Sequence, residues 1–79
     1  MDTIQYKGFE IQAAPYQLDD SGEWQVNLHI FRHREHESRS RKFSAGSSYK
    51  PREEAMANCF QFGKQIIDGQ SGYCSVADL

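Results

Sequence analysis

Trp24-Gln25-Val26-Asn27-Leu28-His29-Ile30 alternates apolar and polar residues without a break. Successive side chains of an extended strand point to opposite faces, so Trp24, Val26, Leu28 and Ile30 are expected to share a buried face. Gln25, Asn27, His29 and Phe31 then line the other face. Upstream, Phe9-Glu10-Ile11-Gln12-Ala13 alternates in the same way, and Asp19-Asp20-Ser21-Gly22 between the two segments has turn chemistry. Together they predict a hairpin with strands over about 4–14 and 24–32. Tyr6 has the wrong parity to join Phe9 and Ile11, so Lys7-Gly8 is either a tight turn after a short strand from Ile4 to Tyr6 or a bulge.

Downstream, His33-Arg34-Glu35-His36-Glu37 is too charged to be buried, and a third strand is expected over 38–45, anchored by Phe43. Parity puts Arg39 and Arg41 on one face of it, beyond the edge of any covering helix. Ser44-Ala45-Gly46-Ser47-Ser48 reads as a connecting loop.

A sheet with one apolar face needs a cover, and the segment over about 51–68 can supply it. Pro51 suits a helix start, Glu53 and Glu54 favour its positive end, and Gly69 sits where a left-handed cap is common. At 100° per residue, Ala55, Met56, Cys59, Phe60, Phe62, Gly63, Ile66 and Ile67 fall in one arc of about 160°. Gly63 lowers helix propensity, so it is expected to permit a close approach to the sheet, under the Trp24 ring. The expected architecture is α+β: a three- to four-stranded antiparallel β-meander followed by one C-terminal amphipathic α-helix packed on one sheet face. The tail over 70–79 is expected to fray or to add an edge strand.

With 79 residues, all are expected to form one domain, which at this size buries only roughly 60 to 65% of its unfolded surface. A partner or second copy would support so thin a core. The N-terminus lacks a basic segment followed by an apolar run, and no run approaches membrane-spanning length, so a cytoplasmic chain without a membrane partner is expected. Two cysteines without C-x-x-C spacing make neither a disulfide framework nor a zinc site; Cys59 reads as a core residue and Cys74 as a free thiol.

Charge is segregated. Between positions 32 and 52 stand seven basic residues against Glu35 and Glu37, whereas the rest of the chain has Lys7 and Lys64 against nine acids. Arg32, Arg34, Arg39, Arg41 and Lys42 are therefore the candidate nucleic-acid contacts, able to grip phosphates from a hairpin, although the pI near 5.8 lacks the overall basic footprint of most nucleic-acid binders. A solvated charge run is the plainer reading. His29 and His33 stand four residues apart on a strand, roughly 13 Å, too far for one metal ion. No nucleophile elbow, phosphate loop or cofactor motif is present, so no catalytic, metal or cofactor residue is assigned and the chain reads as non-enzymatic. Gln25, Asn27, His29 and Phe31 form a candidate protein interface, with Phe31 either lying flat among polar neighbours or contacting a second protein or copy.

Tyr6-Lys7-Gly8-Phe9-Glu10-Ile11, Tyr49-Lys50-Pro51-Arg52-Glu53-Glu54-Ala55, Gly63 and Ile66-Ile67-Asp68-Gly69 give the chain a likeness to known proteins. It resembles small bacterial β-sheet-plus-helix proteins of unknown function, a resemblance that implies the fold and no activity. It is also similar to HicB-like antitoxin domains in its strand hairpin and Glu-Glu-Ala helix start, and differs from them in its basic stretch. The leading expectation is a non-catalytic protein-interaction module, self-associating through the open sheet face or an edge; the alternatives are a nucleic-acid-binding domain using the basic hairpin over 32–42 and an antitoxin-type domain.

Overall fold

The computed structural model describes residues 2–70 and Val76. Its elements are β1 (Thr3–Tyr6), β2 (Phe9–Ala13), β3 (Tyr16–Gln17), β4 (Trp24–His33), β5 (Ser38–Tyr49) and α1 (Arg52–Ile67). All neighbouring strands run antiparallel. Strands β2 and β3 lie end to end along the same side of β4 in one unbroken register, Ala13 opposite Leu28 and Tyr16 opposite Gln25. Pro15, which has no N–H to donate, falls in the gap between them, while Ala14 N–H still reaches Asn27 O at 2.9 Å. The five strands therefore occupy four lanes of a meander, with β1 and β5 at its edges.

Lys7-Gly8 is the tight turn. Tyr6 pairs with Phe9 and the two residues between them have φ of 49° and 84°, the left-handed pair that matches strand twist in a two-residue hairpin loop. The stretch expected to be a loop, Ser44 to Ser48, is instead part of β5, which runs on to Tyr49. Asn27 faces Ser44 and Gln25 faces Ser48, so β5 carries two extra residues where it passes Val26. An insertion of two preserves side-chain parity, which is why Phe43 and Tyr49 both face the helix side. Gln25 Nε2 donates to Ala45 O and closes the bulge from the other face. Small and polar residues gave no apolar period to mark this half of the strand.

The helix follows its punctuation closely. Pro51, with φ −73° and ψ 132°, is the extended residue before the first turn, and its carbonyl accepts from Glu54 and Ala55 at 3.2 and 3.3 Å. At the other end Gly69 has φ 75°; its N–H reaches Ile66 O and that of Gln70 reaches Gln65 O, the paired bonds of a left-handed C-terminal cap. Ala55, Met56, Cys59, Gly63 and Ile66 are buried, with Phe60, Phe62 and Ile67 at the margin. Opposite them lie Phe9, Ile11, Ala13, Val26, Leu28, Ile30 and Phe43. Ile11, Leu28 and Ile30 are fully buried, each worth about 1.5–3 kcal/mol relative to exposure. Cys59 is buried too; its thiol donates to Asn27 O at 3.2 Å, and burial pushes its pKa up.

Two expectations about Gly63 and Trp24 need correction. A Cβ on Gly63 would meet Ile11 and Leu28, not the Trp24 ring. Trp24 is only half buried at the start of β4, with the Arg52 guanidinium 5.6 Å from its ring centroid. The tail expectation and the Cys74 thiol fall outside the described residues, save that Val76 packs at the margin of the core.

Candidate nucleic-acid interface

Helix α1 crosses the sheet obliquely. Its first turn lies over Trp24, at the start of β4, and its end is held two lanes away, where Asp68 accepts from Lys7 Nζ at 2.6 Å and Tyr6 Oη at 2.7 Å. These hydrogen bonds, Lys7 first and Tyr6 second, hold the Asp68 carboxyl below the ordinary aspartate range. An oblique helix leaves the far end of the β4–β5 hairpin uncovered. Every residue from Arg32 to Lys42 is exposed, and the tip is closed by Arg34 N–H on Glu37 O at 2.7 Å.

Within this arm the five candidate basic residues divide between two faces. Arg32 stands directly cross-strand from Arg39, and Arg41 opposite Ile30, so these three share the helix side of the sheet beyond the end of the helix cover. Neighbouring cross-strand and diagonal positions are about 5 and 7–8 Å apart, within reach of one another's long side chains. Arg32 also lies over the Phe9 ring, 5.2 Å from its centroid, and Arg39 Nε pairs with Glu37 at 3.4 Å in the open. Arg34 belongs to the turn. Lys42 faces the opposite way, beside His29.

The four residues of the candidate protein interface divide as well. Asn27 is only 5% exposed; its side chain donates to Ala14 O at 3.1 Å and accepts from Ser44 Oγ at 2.8 Å. Gln25 is engaged at the β5 bulge. Both are structural ties, not a free recognition surface. His29 and Phe31 do remain on the open face, and His33 joins them: ring centroids are 6.2 Å apart for His29–Phe31 and 6.0 Å for Phe31–His33, the latter pair parallel to within 1°. Glu10 stands across from Phe31, and its Oε1 lies 3.5 Å from His33 Nε2. Tyr16, 49% exposed, is on the same face through its pairing with Gln25. Extending the alternation two residues past Phe31 would have found His33, and counting even positions on from Gln12 would have found Tyr16.

Among the described residues no group of three His, Cys, Asp or Glu side chains could hold a metal ion, and no helix is long and apolar enough to cross a membrane. They contain one helix, so a helix-turn-helix pair is absent from them. The arrangement defines a small sheet-and-helix domain whose distinguishing feature is a projecting cationic hairpin.

The chain belongs to the HlyU family, described as transcriptional activator HlyU, whose model matches residues 1–73. No curated protein and no solved structure matches it. Family membership overturns the likeness to HicB-like domains and to β-sheet-plus-helix proteins of unknown function. It supports a transcription regulator over an unspecified protein-interaction module, in keeping with a non-catalytic chain.

Proposed function

We propose that this domain regulates transcription by holding nucleic-acid phosphates on the arginine cluster of its β4–β5 arm. The observation that carries this reading is the direct cross-strand opposition of Arg32 and Arg39, with Arg41 on the same face. Like charges placed directly opposite one another destabilise a sheet. A phosphate chain lying across the three guanidinium groups turns that repulsion into charge-assisted hydrogen bonds. A two-stranded ribbon also fits a major groove about 12 Å wide.

The acidic total charge is compatible with this reading because nine of the eleven acidic residues lie outside the arm, which itself holds only Glu35 and Glu37. Asp19 and Asp20 lie in the turn before β4, and the arginines lie at its far end, roughly 33 Å away for a ten-residue strand. Such a dipole orients the arm toward a polyanion. Lys42 and Arg34 extend the positive surface around the tip.

The test is retention of a duplex DNA probe as a function of salt. Each phosphate neutralised contributes a slope of about −0.9 in log K against log salt, so three contacts predict a slope near −3. Arg39→Ala combined with Arg41→Ala is expected to weaken binding about tenfold or more and flatten the slope by about 2. Unchanged retention by that double variant would falsify the proposal.

A further inference from the structure

The sheet face that α1 leaves open is chemically unlike a protein-binding surface. By alternation and register, its outward strand positions among the described residues include no Leu, Ile, Val or Met. They offer hydroxyl, amide and charged side chains, and four rings: Tyr16, His29, Phe31 and His33. We infer that this face stacks the unpaired bases of a single-stranded nucleic acid, with Phe31 as the central platform. The inference rests on the reading of the arm as a nucleic-acid element, but uses its other face.

Three observations carry it. His29, Phe31 and His33 form a row of rings at 6.2 and 6.0 Å spacing, on the sheet face opposite α1. Directly cross-strand, β5 sets Lys42 beside His29, Ser40 beside Phe31 and Ser38 beside His33. Two short hydroxyl side chains put little bulk beside the rings and offer hydrogen-bonding groups next to them, while the lysine supplies a positive charge for a phosphate. A nucleobase has a π-face to stack and a polar rim to hydrogen-bond, so it matches such a surface; a protein partner's aliphatic core does not. Glu10, the carboxylate on this part of the face, is held by Gln5 Nε2 at 3.1 Å and faces His33. The outer edge of β5 invites a second copy far less, because Arg39, Arg41 and Lys42 would meet like charges across a two-fold axis and the two-residue insertion interrupts its other half.

The experiment measures fluorescence anisotropy of a labelled oligothymidylate and of a blunt duplex against wild type, Phe31→Leu, Phe31→Trp and the Arg39→Ala, Arg41→Ala double variant. Leucine keeps apolar bulk and removes the flat ring. Phe31→Leu is expected to weaken oligothymidylate binding about tenfold and leave the duplex within about twofold, with Phe31→Trp restoring the loss. Oligothymidylate bound equally by wild type and Phe31→Leu, or not bound by wild type, overturns the inference. If the duplex still requires the arginines in that case, the proposed function survives; if ring dependence holds and arginine dependence fails, the reverse is true. Dissociation of a dimer by Phe31→Leu without change in oligothymidylate binding would assign the face to a second copy and overturn the inference too. Should circular dichroism show Phe31→Leu unfolded, His29→Ala combined with His33→Ala must give the same selective loss.

Discussion

Gly63 and Ile11 meet so closely that a Cβ on the glycine would lie 2.8 Å from Ile11 Cγ2 and 2.9 Å from Cδ1, with Leu28 Cδ1 at 3.0 Å. Helix and sheet are in backbone-to-side-chain contact there, in the middle of the core. Ile11 and Leu28 are themselves fully buried, so neither has space to retreat into.

Gly63→Ala is therefore expected to destabilise the domain although alanine is the better helix former. Overpacking costs typically 1–3 kcal/mol, against a gain of about 1 kcal/mol in propensity, so a net loss of up to about 2 kcal/mol should appear in urea denaturation. A stabilised variant would show that the helix can lift from the sheet at little cost.

The clamp of Asp68 on Lys7 and Tyr6 predicts a pH window. Asp68 has its pKa lowered first by the Lys7 hydrogen bond and then by that of Tyr6, so its contribution is present above the unfolded carboxylate value near 3.9 and lost as pH falls through the lower folded one. Lys7 has its pKa raised, chiefly by Asp68, so its contribution is present below about 10.4 and lost as pH rises through the folded value. The difference in Tm between wild type and Asp68→Asn should be flat near neutrality and shrink toward both extremes. An undiminished difference at pH 2 would argue against the clamp.

Asn27 ties β4 to β5 and to the link between β2 and β3, through Ser44 Oγ and Ala14 O. Replacing it with alanine leaves the Ala14 carbonyl short of a donor and should cost about 1–3 kcal/mol. Ser44→Ala should cost about 0.5–1.5 kcal/mol alone and much less in the Asn27→Ala background, since its partner is already gone. Full additivity of the two losses in chemical denaturation would contradict the shared bond.

Arg39 opposite Arg32 sets stability against binding. Arg39→Thr, a good strand former without charge, should raise stability by a few tenths to about 1 kcal/mol at low salt, with the gain fading as salt screens the pair. The same variant should hold duplex DNA more weakly. Lower stability at every salt concentration would mean that the exposed Glu37 pair outweighs the repulsion.

Much of the fold was legible because it rests on periodicity. The alternation from Trp24 to Ile30 and the apolar arc from Ala55 to Ile67 identified the two surfaces that meet, and Pro51 and Gly69 bounded the helix to within a residue at each end. Ser44 to Ser48 was illegible as strand because small polar residues bury no alternating face. The candidate site was readable in its ingredients alone: the basic residues could be listed, but their division between faces depends on cross-strand register and on where the helix ends.

Local covalent and hydropathic facts, acting over a few neighbours, were thus determined by the sequence alone: which side chains share a face, where Lys7-Gly8 can turn, and where a helix starts and stops. Tertiary structure alone decided that α1 runs obliquely from Trp24 toward Tyr6, that Gly63 sits on Ile11, and that Arg32, Arg39 and Arg41 project together beyond it. The physical reason is that contacts between residues far apart in the chain are chosen by packing and strand pairing acting together, and no local pattern encodes the angle at which two such surfaces meet.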